Sequence, residues 1–382
     1  KGPVHATAPT RDLLGVMLRD AASIQESEGE RRTRHRLRRG DPPVEALYTT
    51  DDAERLLEQV QGHPFDTPVE VLPGVEVRFV EAGHILGAAQ VVMRVQGGAG
   101  ERTVVFSGDL GRDDEPLMRP PQLVRRADLV IMESTYGDRD HRDLGATLEE
   151  FAAILQEAAA TGGNVIIPVF AVGRAQEVLA HLAAFEREGR LPLDKVYLDS
   201  PMAIDVTKLY KDNLQCFRGE ALEAAGGKLP VPSGLRRTRA QTASMAINKV
   251  RGAVVLAASG MCEAGRILHH LKHNLWRPEA HIVFVGYQAR GSLGRQLVDG
   301  ARKVEVMGEQ IAVRAKVHTL GGFSAHADQT GLLAWLRGFE REPRVLALTH
   351  GEPEKQEKLA AAIRYQLGWR PQIPTAGVPL VV

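Results

Sequence analysis

Leu129-Val130-Ile131-Met132-Glu133-Ser134-Thr135-Tyr136-Gly137 is the stretch from which the rest of the chain is read. Four successive apolar residues leave no polar face, so the run predicts a strand covered by helices on both sides. Glu133 stands where the strand stops and a loop begins. The same arrangement recurs on either side. Thr103-Val104-Val105-Phe106 leads into Ser107-Gly108-Asp109-Leu110-Gly111, and the alternating Val75, Val77 and Phe79 lead into Ala82-Gly83-His84-Ile85-Leu86-Gly87. Far downstream, Arg344-Val345-Leu346-Ala347-Leu348 leads into Thr349-His350-Gly351-Glu352. Loops at strand ends are where open sheets assemble sites, because the sheet fixes position while the loop varies chemistry. Singly, each residue has a plainer role: a satisfied structural histidine, an Asp-Gly turn, a helix-capping glutamate. Together, and with His326 in Gly321-Gly322-Phe323-Ser324-Ala325-His326-Ala327-Asp328, they form a constellation. Two histidines and an aspartate match nitrogen and oxygen coordination of zinc, and a carboxylate can bridge two metals.

Between these motifs the pattern alternates. Helical spacing over Leu148 to Ala158 precedes a strand at Val165 to Ile167, a helix at Arg174 to Phe185 and a strand at Val196 to Leu198. Further strands are expected at Ala253 to Ala257 and Ile282 to Val285, around a helix at Glu263 to His273, and again over Ala312 to Val317. Such alternation predicts a parallel sheet wrapped by helices. The N-terminal part predicts helices at Arg11 to Arg39 and Asp51 to Gln61, then a hairpin turning at Gly97-Gly98. No element is assigned between Lys211 and Ser244. The basic run Arg31 to Arg39 reads first as a solvated helix end and second as an RNA contact. His269, His270 and His273 read as a surface cluster. Asp199, His141, His181, His281 and His318 read as structural.

Composition narrows the function. The 382 residues suffice for about two domains, and 43% hydrophobic with 25% charged residues is an ordinary globular balance. Forty-eight basic against 48 acidic residues leave no net charge, so any polyanion site is a local lining and not a basic coat. Two cysteines cannot build a disulfide framework, which points to an intracellular, cytoplasmic protein. No apolar stretch is long enough for a membrane span. The first residue is Lys1, and Gly2 to Thr7 reads as a strand already in progress, which predicts a piece of a longer protein.

The ordered motifs Gly83-His84, Ser107-Gly108-Asp109, Glu133-Ser134-Thr135-Tyr136-Gly137, Ser324-Ala325-His326-Ala327-Asp328 and Thr349-His350-Gly351-Glu352 resemble the β-CASP branch of metallo-β-lactamase-fold nucleases. The segments Pro168 to Glu177, Leu198-Asp199-Ser200-Pro201-Met202-Ala203, Ser259-Gly260-Met261 and Gly286-Tyr287-Gln288 are similar to that branch's inserted domain. The resemblance implies an α/β protein: a metallo-β-lactamase αββα sandwich, incomplete at its N-terminus, with an inserted β-CASP α/β domain. It divides the chain into lactamase-like residues 1–137, β-CASP residues 138–319, and lactamase-like residues 320–382.

The resemblance further implies two zinc ions per complete site, with His84 on the first, Asp109 bridging and His350 on the second. Glu133 and His326 become the acid–histidine pair beside the leaving group. Ser324, Ser259, Gly260 and Arg290 become substrate contacts, although a cap and a turn explain Ser259, Gly260 and Arg290 as well. The family's His-x-His-x-Asp-His signature is absent, which reads as truncation or as loss of a metal half-site. The implied activity is zinc-dependent hydrolysis of single-stranded RNA, endonucleolytic or 5′-exonucleolytic, with the chain as given expected to be inactive. A catalytically silent RNA-binding scaffold is the alternative, followed by a small-molecule lactamase-type hydrolase. No membrane partner is expected, and a homodimer is allowed. Because the net charge is zero, phosphate affinity is assigned to Arg174, Arg266, Arg290 and Arg295.

Overall fold

The structure is a computed structural model that describes residues 2–98 and 100–382. It opens with β1 (Val4–Thr7), α1 (Ala8–Leu37), α2 (Thr50–Leu57) and β2 (Val60–His63). Thr7 caps α1 by accepting the Thr10 amide, with Pro9 in the first turn, where no amide hydrogen is needed. The helix expected over Asp51 to Gln61 ends at Leu57, and residues 60–63 form β2. They pair in parallel with β1, and Val60 is buried there, so tertiary pairing overrides local helical spacing.

Next come β3 (Val69–Leu72), β4 (Val75–Glu81), β5 (Ala89–Gly97), β6 (Gly100–Phe106) and β7 (Leu129–Glu133). The turn expected at Gly97-Gly98 runs into Ala99, which lies outside the described residues. The chain then alternates through α3 (Leu144–Thr161), β8 (Val165–Pro168), α4 (Arg174–Arg187), β9 (Lys195–Leu198) and α5 (Pro201–Asp212). It continues through α6 (Gly219–Ala224), β10 (Leu235–Arg237), α7 (Gln241–Ile247), β11 (Ala253–Ala257), α8 (Ile267–Asn274), β12 (His281–Phe284) and α9 (Leu293–Val298). The hairpin β13 (Lys303–Val306) and β14 (Glu309–Ala312) precedes β15 (Lys316–Thr319), so the single strand expected over 312–317 is two. The last elements are α10 (Gln329–Leu336), β16 (Val345–Thr349) and α11 (Pro353–Leu367). The helix expected from Glu263 begins only at Ile267, because Ser259 Oγ draws the Glu263 and Ala264 amides into a loop.

Among the described residues two six-stranded sheets dominate. One has the order β16-β7-β6-β5-β4-β3 and the other β10-β9-β11-β8-β12-β15. In the first, β16, β7 and β6 are parallel, while β5 is antiparallel to both β4 and β6. Strands β4, β6, β7 and β16 therefore all point the same way, and His84, Asp109, Glu133 and His350 come off one edge. The second sheet is parallel throughout. Its two faces are packed by Phe151, Leu179 and Phe323 on one side and by Ile166, Leu271 and Phe284 on the other. Each such side chain, fully buried, contributes about 1.5–3 kcal/mol. A separate cluster of Leu13, Leu86, Met118, Tyr210 and Phe217 joins α1 and the loops of the first sheet to α5. No helix among the described residues is long and apolar enough to cross a membrane.

Candidate metal centre

Two glycines bring the first two loops together. Gly83 has φ +71°, and a Cβ on Gly111 would lie 1.8 Å from the Gly83 carbonyl oxygen, so only glycine lets the strands' exits touch. The Gly111 amide donates to Ala82 O at 2.7 Å and locks that approach. His84 and Asp109 thereby face each other, Nε2 to Oδ2, at 3.9 Å. From the far side, His350 Nδ1 reaches Asp109 Oδ1 at 3.1 Å. His350 sits at φ +50°, held by the Thr135 hydroxyl, which donates to its carbonyl at 3.2 Å.

Glu133 is buried at the end of β7, and its amide donates to Ser107 Oγ at 3.0 Å. Its Oε1 accepts the Leu110 amide at 2.6 Å, and His326 Nδ1 lies 3.2 Å from both carboxylate oxygens. Burial alone would raise the Glu133 pKa, but the hydrogen bonds and charge of His326 with the Thr135 and Leu110 contacts outweigh it, holding the group below the ordinary carboxylate value. For His326, burial pulls downward and the Glu133 carboxylate prevails, so its pKa is raised. His84 goes the other way: burial and the neighbouring His326 depress it to about 4, so at neutral pH it is an uncharged imidazole, the form that binds metals.

The donor atoms of His84, Asp109 and His326 all lie within 4.8 Å of one another. His84 Nδ1 is buried and has no hydrogen-bond partner, an arrangement that costs about 1–3 kcal/mol unless something else satisfies the ring. Histidine nitrogens around an aspartate are an ordinary nitrogen and oxygen set for zinc. The residues present fit a metal ion.

Two supporting residues carried no signal in the sequence. His141 donates through Nε2 to the His326 carbonyl at 2.9 Å and packs edge-on against Tyr136. Arg112 donates to Gly322 O in the loop that carries His326 while pairing with Asp114 at 2.6 Å. Each partner lies 185 or more residues away in sequence, so neither periodicity nor a motif could show it.

Of the residues expected to contact substrate, Ser324 is half-buried two positions before His326. Ser259, Gly260 and Arg290 sit at the exits of β11 and β12 in the second sheet and make no hydrogen bond to the cluster among the described residues. Three of the four arginines expected to bind phosphate are engaged in ion pairs. Arg174 pairs with buried Glu177, Arg266 with Asp199 at 2.6 Å and Arg295 with Asp299 at 2.9 Å. Arg290 is exposed and has no carboxylate partner among the described residues. The expected surface cluster is also corrected: His270 is buried and donates to Asp199 at 2.7 Å.

Two sheets that send acids and histidines to one edge are the plan of a metal-dependent α/β hydrolase. Comparison with known proteins gives the lineage. Residues 175–297 match the Beta-Casp domain, and residues 310–374 match the Zn-dependent metallo-hydrolase RNA specificity domain. The chain is 42% identical over 358 residues to Ribonuclease TTHA0252 of Thermus thermophilus, covering 93% of this chain and 76% of that protein. It is 30% identical over 390 residues to Transcription termination factor FttA of Pyrococcus horikoshii, covering 98% of this chain and 56% of that protein. An RNase J-like protein of Methanocaldococcus jannaschii is 27% identical over 382 residues, 99% of this chain and 83% of the relative. The chain belongs to the β-CASP family of metallo-β-lactamase-fold ribonucleases, which are metal-dependent hydrolases.

Proposed function

We propose that this chain carries the catalytic centre of a zinc-dependent ribonuclease that hydrolyses phosphodiester bonds of single-stranded RNA. The observation that carries this is the buried Glu133–His326 pair set against the donors His84, Asp109 and His350. A zinc-holding role for His84, Asp109 and His350 is part of the proposal, with two ions in the complete site. Zinc at such a site supplies positive charge for the phosphoryl oxygens and lowers the pKa of water toward neutrality.

The chain's own residues supply the proton. Glu133 fixes Nδ1 of His326, which leaves Nε2 to deliver a proton to the departing sugar oxygen. The raised pKa keeps that imidazole protonated further into the neutral range. Asp109 lies between the two imidazoles, with Oδ1 at 3.1 Å from His350 and Oδ2 at 3.9 Å from His84. Ser324 and the backbone of Gly321-Gly322 line the approach to His326, and Ser259, Gly260 and Arg290 meet the strand from the second sheet. This assignment takes residues 138–319 as one domain and 1–137 with 320–382 as the other.

The test is cleavage of an end-labelled single-stranded RNA by the full-length protein, with zinc and after chelation. Cleavage lost on chelation and restored by zinc is the expected result; RNA bound but intact with zinc present would establish the silent scaffold instead. The 382-residue chain taken alone, with few donors for two four-coordinate ions, is expected to hold less than two zinc per chain by metal analysis. Cytoplasmic location and homodimerisation complete the proposal, the latter checked by light scattering.

A further inference from the structure

Tyr287 follows β12 and is 53% exposed, and Phe170 follows β8 and is 44% exposed. Because β8 and β12 are neighbours in a parallel sheet, both aromatics come off the same edge. Phe170 packs on Gly260, where a Cβ would lie 2.9 Å from its ring, and the Gly260 carbonyl accepts from Gln288, the residue after Tyr287, at 3.0 Å, which ties the two strand exits to one loop. Tyr287 also faces the other sheet. Lys355, in the first turn of α11, places Nζ 5.8 Å from the Tyr287 ring centre and 5.9 Å from that of Tyr136. The Tyr136 ring is in turn 6.2 Å from His326. A line of aromatic faces with one ammonium among them thus runs from the proton donor of the first sheet to the edge of the second.

Exposed π faces beside a cation suit unpaired bases joined by phosphates, and bases already stacked in a duplex could not use them. The net charge of the chain is zero, so affinity for an anionic strand has to be local; exposed Arg290 supplies it here together with Lys355, whose Nζ also pairs with exposed Glu352 at 3.4 Å. We infer that Tyr287, Phe170 and Lys355 form a subsite for nucleotides flanking the scissile phosphate of single-stranded RNA. Tyr287 stacks on a base, Phe170 continues the platform and Lys355 takes a phosphate. This rests on the ribonuclease assignment above and specifies which side of the cleft holds the strand.

The experiment uses the full-length protein in a His326→Ala background, so that RNA is bound and not consumed. A short single-stranded RNA carries 2-aminopurine at one position at a time. Quenching at one or two positions is expected, and an abasic nucleotide there should weaken binding by ~5–100-fold, the worth of one stacked base. Tyr287→Ala should weaken binding of the intact RNA to the same extent and abolish the quenching, while Tyr287→Phe keeps both. Lys355→Met should reduce the log–log salt slope by ~0.7. Unchanged affinity and quenching in Tyr287→Ala overturns the subsite and leaves the ribonuclease assignment standing. If that variant does not fold, absence of any quenched position in the parent overturns the subsite equally. A parent that binds a peptide partner but no RNA overturns both.

Discussion

Each of the two large sheets ends in a buried carboxylate bonded to a histidine, and the two pairs have opposite surroundings. In the first sheet Glu133 holds His326, whose side chain is 21% exposed and whose neighbours are further donors, His84 and Asp109. In the second, Asp199 holds His270, but Ser244 and Arg266 also bind the carboxylate, at 2.6 Å each, and His270 is 1% exposed. Burial pushes Asp199 upward; His270, Ser244 and Arg266 together overcome it and keep its pKa low. An acid–histidine pair becomes a reactive site when one face of the imidazole stays open. Closed on every side, the same pair fastens one strand end to two helices.

His326→Ala breaks this contrast most sharply. In the full-length protein it should lower turnover ~10²–10⁴-fold, the ordinary worth of a general acid, with zinc content retained. Zinc lost from the variant would place His326 among the ligands, a role its distance from Asp109 and His84 permits. On the other sheet, Asp199→Ala leaves Arg266 without its counter-ion and His270 without its hydrogen-bond partner, and should cost about 3–5 kcal/mol of stability by denaturant titration. The contrast fails if Asp199→Ala leaves stability intact and abolishes cleavage.

Glu115 sharpens the comparison between useful and costly buried acids. It accepts the Leu117 amide at 2.7 Å, and burial with the nearby charge of Glu177 pushes its pKa up to about 8. A carboxyl raised in the folded state favours folding fully below its ordinary pKa, near 4.5, and that contribution is lost as pH climbs toward 8. Glu115→Gln should therefore match the parent near pH 4.5 and exceed it by about 1–3 kcal/mol at pH 9; thermal melts across pH decide it. The smallest effect belongs to the arginines. Arg290→Ala should reduce the salt slope of RNA binding by ~0.7, whereas Arg174→Ala, Arg266→Ala and Arg295→Ala should leave it near the parent value. Equal reductions in all four would mean that their ion pairs open on RNA.

The residues of the candidate metal centre were readable because their signals are local. Apolar runs, glycines that permit tight exits and a single polar residue after each strand occupy a few consecutive positions, as at 129–137. The second pair was not, since Asp199 and His270 lie 71 residues apart and a histidine on a polar-looking helix gives no sign of burial. Strand β10 was missed for a related reason: only three residues long, it exists through pairing with β9 at a sheet edge. Which arginines are ion-paired was not legible either: Glu177 and Asp299 lie within one helical turn of Arg174 and Arg295, but nothing in the spacing says which pairs close.

The loop that carries His326 is fastened from three directions. Ala327 donates its amide to Leu110 O at 2.7 Å, His141 donates to the His326 carbonyl, and Arg112 donates to Gly322 O. Its fasteners come from the Asp109 loop and from the segment after Tyr136, so the loop cannot detach without disturbing the groups it serves. Backbone amides at 110, 111 and 327 will accordingly exchange with deuterium as one cooperative unit, at the slow pace of the sheet and not of a surface loop. His326 is held by the same bonds that keep the two halves of the chain in register, so disorder in one is felt as disorder in the other.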